Sequence, residues 1–194
     1  MLDAVKYGLR NLFNLRGRDA RQTFWYFVLL IFLLNFAFGL LITVPLVINM
    51  FSNIVDAAQA GASPEAVEAR MMGSMTGMLE QMTWPSVIIS VVTGLMLLPG
   101  LVRRLHDSDM SGWWAALPGA LYAAAISQTP AQMRRTVEMM AAMDPANPPN
   151  SYDMMREQGL VGLASYAAIG LVIYFGVRKS TPGPNRYGEA SASF

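Results

Sequence analysis

Between Thr23 and Ser52 the chain carries no charged residue, and this run limits what the chain can become more than any other feature. Phe24, Trp25 and Tyr26 open it, and Leu, Ile, Phe and Val fill most of the remainder. A helix needs about 20 apolar residues to cross a bilayer, and the run supplies them with length to spare. A surface helix of a soluble domain would instead carry a polar stripe. Composition points the same way: 54% of residues are hydrophobic and 14% charged, against about 45–50% and about 25% in soluble domains. A cleaved signal peptide is the competing reading, and Ala58-Gln59-Ala60 has the form of a cleavage site. The apolar run is too long for a signal core, however, and that site lies well past its end.

Three more uncharged stretches follow: Met82 to Val102, Met110 to Met133 and Leu160 to Val177. The second of these turns polar at Ser127-Gln128. It also carries Ala115, Gly119 and Ala123 at four-residue spacing, a small-residue face that lets helices approach closely in lipid. The expected fold class is all-α, a single membrane domain over residues 1–194 with four transmembrane helices at about 23–49, 84–102, 112–128 and 160–177. Trp25, Trp84, Trp113 and Trp114 fall near span ends, where an interfacial aromatic belt is expected. Four spans put both termini on one side. That side holds Lys6, Arg10, Arg16, Arg18, Arg21, Arg103, Arg104, Arg178, Lys179 and Arg186, and the other holds Arg70, Arg134, Arg135 and Arg156. The positive-inside rule then makes the tails, 1–22 and 178–194, cytoplasmic, and a bacterial inner membrane is the expected location.

The two outer connections, about residues 50–83 and 128–159, read as helical. Ser63-Pro64 and Thr129-Pro130 each have the form of an N-cap followed by proline at the first helical position. Each precedes a methionine run, Met71-Met72-Gly73-Ser74-Met75 and Met139-Met140-Ala141-Ala142-Met143. Met71, Met75, Met78 and Met82 share one helical face, which predicts amphipathic helices in the outer loops, lying on the bilayer with Met71, Met75 and Met78 shielded. Thioethers also suit Cu(I). Adaptable apolar packing is the plainer reading, and neither metal nor cofactor is expected.

The chain has no cysteine and one histidine, which excludes disulfides, thiol catalysis and metal sites built on cysteine or several histidines. A net charge of +1 gives no global field for nucleic acid. The spans hold no ionisable residue except tyrosine, which weighs against proton- or ion-coupled transport. Polar chemistry gathers instead between the second and third spans, in Arg103-Arg104-Leu105-His106-Asp107-Ser108-Asp109-Met110-Ser111-Gly112-Trp113-Trp114. His106 and Asp107 are neighbours whose side chains diverge on a helix. No serine elbow, carboxylate pair or glycine-rich phosphate loop accompanies them.

Arg16, Arg18, Arg21, Arg103, Arg104, His106 and Asp107 therefore fall in one cytoplasmic layer, with Asn185, Arg186 and Tyr187 of the tail. The tail from Ser180 to Gly188 is built of turn formers and is expected to fold back on this layer, with Asp107 accepting from at least one arginine. A basic layer beside a bilayer attracts anionic headgroups. The expectation is a non-enzymatic inner-membrane protein whose partners are anionic lipids, another protein or a second copy of the chain. A small-solute or ion transporter is the alternative, and an enzyme acting on headgroups at His106 and Asp107 is third.

Three blocks stand out together: Phe13-Asn14-Leu15-Arg16-Gly17-Arg18 with Phe24-Trp25, Arg103-Arg104-Leu105-His106-Asp107 with Ser111-Gly112-Trp113-Trp114, and Pro184-Asn185-Arg186-Tyr187-Gly188. In order and spacing they resemble the "domain of unknown function 805" family of small bacterial inner-membrane proteins. The resemblance implies a multi-span inner-membrane protein, with no established activity, substrate or catalytic residue. Set against the family pattern, Thr23 stands where a glutamate is frequent before Phe-Trp. Asp109-Met110 stand where a glycine and a basic residue are common.

Overall fold

A computed structural model describes residues 2–141 and 151–190, with residues 151–158, 160 and 161 described by their backbone. The regular elements among the described residues are all helical: α1 (Leu2–Arg10), α2 (Arg21–Gln59), α3 (Pro64–Asp107), a 3-10 turn (Gly112–Ala115), α4 (Ala116–Ala141) and α5 (Ser151–Val177). Among them, α2 and α3 are long and apolar enough to cross a membrane. Only 11% and 22% of their most apolar windows are buried within the chain. The core helix of a soluble domain would be mostly covered. Here Phe32, Leu33, Phe36, Leu41, Ile88 and Leu95 stand exposed, an apolar surface far beyond what water-soluble monomers present.

The chain divides into two compact units. Residues 1–35, 90–126 and 161–194 form one, centred on Phe24, Leu101, Val102, Leu105, Ala115 and Phe175. Close approach inside it depends on glycine. A Cβ on Gly176 of α5 would lie 2.8 Å from the Trp25 ring and 2.9 Å from that of Phe24. Two polar contacts also join helices here, Thr93 Oγ1 to Asn35 Oδ1 at 3.0 Å and Tyr122 Oη to the Ser90 carbonyl at 3.1 Å.

The other unit comprises residues 36–89 and 127–160. Its turn between α2 and α3 follows from the sequence. Gly61 is left-handed at φ +73°, Gly61 N–H bonds to the Ala58 carbonyl and Ala62 N–H to that of Ala57, a Schellman cap. Ser63 then caps α3, its hydroxyl 3.4 Å from Ala66 N, and Pro64 opens the helix as expected.

Two further outer-loop expectations are corrected. The methionine runs are helical but do not form separate elements: Met71 to Met82 continue unbroken into Trp84 within α3. Within the chain Met71 and Met75 are 42% and 39% exposed. Thr129-Pro130 starts no helix, because α4 runs through it to Ala141. Strong helix formers flank it, Ala123-Ala124-Ala125 before and Ala131-Gln132-Met133 after, and their propensity outweighs the local stop signal. Met143, residues 142–150 and the Arg156 side chain lie outside the described residues.

Candidate functional site, a buried arginine cluster

The site is built on the last turn of α3. Arg103 and Arg104 are adjacent, so the helix aims them about 100° apart, towards different parts of the chain. Arg103 meets the N-terminal segment. Its Nε donates to Asp19 Oδ1 at 3.0 Å, and Nη1 donates to the carbonyls of Asn11, at 2.7 Å, and Asn14. Arg104 meets the C-terminal segment, donating to the carbonyls of Gly176, at 3.0 Å, and Arg178 as α5 ends. It also donates to Asp107 Oδ2, one helical turn on, at 2.6 Å.

Arg18 closes the arrangement. Its Nε lies 3.1 Å from Asp107 Oδ1, while its Nη atoms donate to the carbonyls of Gly183 and Thr181, both at 2.7 Å, and of Gly188 at 3.3 Å. Asp107 therefore holds two guanidiniums, one on each oxygen. Arg103, Arg104 and Asp107 are at most 1% exposed, with Arg18 and Asp19 close behind. Three buried cations face two buried carboxylates, and the carbonyls at the end of α5 supply the remaining negative potential. Burial pushes the Asp19 carboxyl up and Arg104 down, opposed respectively by Arg103 with Tyr7, and by Asp107.

The backbone binds both chain ends to the same turn. Asp19 N–H donates to the Arg103 carbonyl at 3.2 Å and Thr181 N–H to that of Asp107 at 2.8 Å, satisfying carbonyls that a helix end leaves open. Met110 N–H reaches the Leu105 carbonyl and Asp109 N–H that of His106, with Asp109 left-handed at φ +54°. This is again a Schellman cap, and Asp109 occupies its glycine position.

At the rim, the His106 ring stacks on Tyr187 at 3.9 Å. Its Nδ1 lies 3.2 Å from the Gly17 carbonyl; a carbonyl only accepts, so the proton sits on Nδ1. Burial, then Arg186, hold this imidazole below its ordinary range against the raising effect of Gly17. Asn185 Nδ2 donates to the His106 carbonyl at 2.9 Å. Arg186 pairs with Asp109 at 3.1 Å, with both side chains half or more exposed.

The structure thus brings together Arg18, Arg103, Arg104, His106, Asp107, Asn185, Arg186 and Tyr187. Arg16 and Arg21 stay outside the cluster, both exposed. Arg21 has no hydrogen bond or ion pair among the described residues, and it lines a surface cavity of about 350 Å³ with Gln22, Ser180, Thr181 and Pro182. Of the tryptophans, Trp25 is half-buried against Phe24, whereas Trp84, Trp113 and Trp114 are 64%, 85% and 52% exposed. Sequence reasoning missed Asp19, although an acid in so basic a segment was a signal. It also missed the carbonyl acceptors, which no residue type announces. Thr23, 2% exposed, keeps a hydroxyl with no hydrogen-bond partner among the described residues.

Comparison with known proteins places these residues in context. The inner membrane protein YhaH of Escherichia coli strain K12 is 28% identical over 109 residues, 56% of this chain, and the O157:H7 protein of that name matches equally. The chain spans 66% of the length of each, just under two thirds. No solved structure matches. A family model described as "Protein of unknown function (DUF805)" matches residues 12–189, from before Arg18 to beyond Gly188 and so across the whole cluster. The chain belongs to the DUF805 family.

Proposed function

We propose that this is a non-enzymatic, four-span protein of the bacterial inner membrane, with both termini cytoplasmic, whose cytoplasmic layer binds anionic lipid headgroups. One observation carries the reading: the inner arginines are consumed by the chain itself, while Arg21 is left without a partner among the described residues, beside a surface cavity. Arg18, Arg103 and Arg104 hold the layer in shape, and Arg21, Arg16 and Lys179 face outward from it. Exposed bases at a membrane surface attract anionic lipid.

The spans are those of the four uncharged runs, oriented by the distribution of the 14 basic residues. Exposed apolar α2 and α3 and the name of the Escherichia coli relative support a membrane location. A non-enzymatic role is supported by where the reactive groups are used. Both Asp107 oxygens are engaged with no exposure, and the His106 ring is stacked and bonded. The Asn35–Thr93 and Tyr122–Ser90 contacts close on themselves, which favours packed helices over a transport path.

Native mass spectrometry of the detergent-extracted protein tests the reading. The wild type should retain phosphatidylglycerol or cardiolipin, and Arg21→Gln combined with Lys179→Gln should lose most of it. Equal retention by the variant would refute headgroup binding by this layer.

A further inference from the structure

The N-terminal helix has a surface that the cluster does not use. Ala4 and Gly8 form its inner face, and a Cβ on Gly8 would lie 2.4 Å from the Phe27 ring. The backbone of α1 therefore packs directly against α2. Phe27 is four residues past Thr23, about 6 Å along the helix from where the uncharged run begins. So α1 lies beside the start of that run, within about one helical turn.

Its outer face combines apolar and basic groups. Leu2, Leu9 and Phe13 are 70%, 44% and 98% exposed, and the bases Lys6 and Arg10, also exposed, lie among them with Arg16 just beyond. Phe13 is not displayed by a loose end. Asn14 N–H bonds to the Asn11 carbonyl at 3.1 Å, Asn14 Nδ2 to Asn11 Oδ1 at 3.0 Å, and buried Arg103 takes the carbonyls of both asparagines. A cation that is 1% exposed thus fixes a turn whose tip is a bare phenyl ring. Lys6, Arg10 and Arg16 make no ion pair among the described residues.

We propose that this face, Leu2, Lys6, Leu9, Arg10, Phe13 and Arg16, is an interfacial membrane contact that lies in the headgroup layer of an anionic bilayer, with Phe13 inserted. The inference rests on the reading of α2 as the first span, which sets the depth of α1. Helices with apolar residues amid lysine and arginine lie in that layer, about 5–10 Å into the boundary with the acyl chains. A second copy of the chain fits less well. Pairing this face with itself in a two-fold contact would bring Lys6, Arg10 and Arg16 against their own copies.

An environment-sensitive fluorophore on a single cysteine tests this directly, since the chain has none of its own. The full-length F13C variant, whose native side chain is almost wholly exposed, is labelled in vesicles of phosphatidylglycerol and phosphatidylethanolamine. A label at Glu189→Cys, an exposed tail position, serves as the aqueous reference. The expected result at position 13 is a blue-shifted emission, quenching by lipids spin-labelled near the headgroup and loss of iodide quenching, all weaker in phosphatidylcholine. Iodide quenching equal to that at position 189 would overturn the contact, and an equal signal in phosphatidylcholine would overturn its anionic preference. Protection without spin-label quenching, lost on diluting the protein, would assign the face to a second copy instead. Failure of the span reading shows separately, as labelling of Ser63→Cys from the same side as position 189.

Discussion

Asp107 and Asp109 sit two residues apart, each facing arginine, and the chain uses them in opposite ways. Asp107 has no exposure and holds Arg18 and Arg104 on its two oxygens. Asp109 is half exposed, and its pair with Arg186 is open to water and salt. The inner carboxylate belongs to a network that cannot lose a member cheaply. Removing one partner of a buried pair strands a charge and costs about 3–5 kcal/mol, whereas an exposed pair contributes about 0–1 kcal/mol. The difference comes from burial, and burial comes from two chain ends closing over one helix terminus.

The largest effect should follow Asp107→Asn, which leaves two buried guanidiniums sharing one neutral acceptor. A loss of about 3–5 kcal/mol is expected, read as a lower thermal midpoint in detergent. Asp19→Asn comes next. It weakens the Arg103 contact but leaves the Asn11 and Asn14 carbonyls in place, so about 1–3 kcal/mol is expected. Cleavage by trypsin after Arg16 should accelerate while the tail stays protected. If Asp19→Asn instead freed the tail first, the two chain ends would not be held independently.

A pH series sharpens the contrast at the rim. The folded state holds His106 below its ordinary value near 6.5, so folding favours the neutral ring. That contribution is complete above pH about 6.5 and is lost as pH falls through the lower folded value. Asp19, whose carboxyl is raised, acts in the opposite sense: its contribution is present below the ordinary carboxylate range and declines as pH rises through the folded value. The difference in midpoint between wild type and His106→Gln, followed from pH 8 to pH 5, isolates the imidazole. It should shift in favour of the glutamine variant as the pH falls.

Asp109 should show the smallest effects. Asp109→Asn should change stability by less than about 1 kcal/mol, less still in high salt. Asp109→Gly relieves a left-handed backbone at φ +54° and should match or exceed the wild type in thermal midpoint.

Much of this arrangement was legible beforehand for particular reasons. Long uncharged runs announce helices because lipid accepts nothing else, and turn formers between two prolines and two glycines announce a tail that folds back. Ser63-Pro64 read correctly because a helix start requires a cap. Asp19 was harder, since its partner stands 84 positions away. The backbone carbonyls of Asn11, Asn14, Gly176 and Thr181 carry no residue signal at all. The second outer helix start was misread because a cap motif is local, while the helix through Thr129-Pro130 is decided by its neighbours on both sides. Arg103 and Arg104 taught the opposite lesson: bases that look like a lipid-facing layer in sequence are the largest fully buried side chains among the described residues.

Buried Asp107 and its arginines hold both chain ends against α3, and on this everything else depends. Amide hydrogen exchange at Asp19 and Thr181 reads it, since their N–H groups bond to the Arg103 and Asp107 carbonyls. In Asp107→Asn, exchange at Thr181 should rise towards that of an open tail, with a smaller rise at Asp19, while Asp109→Asn leaves both near the wild-type rate. Equal rates at Thr181 in all three proteins would contradict it.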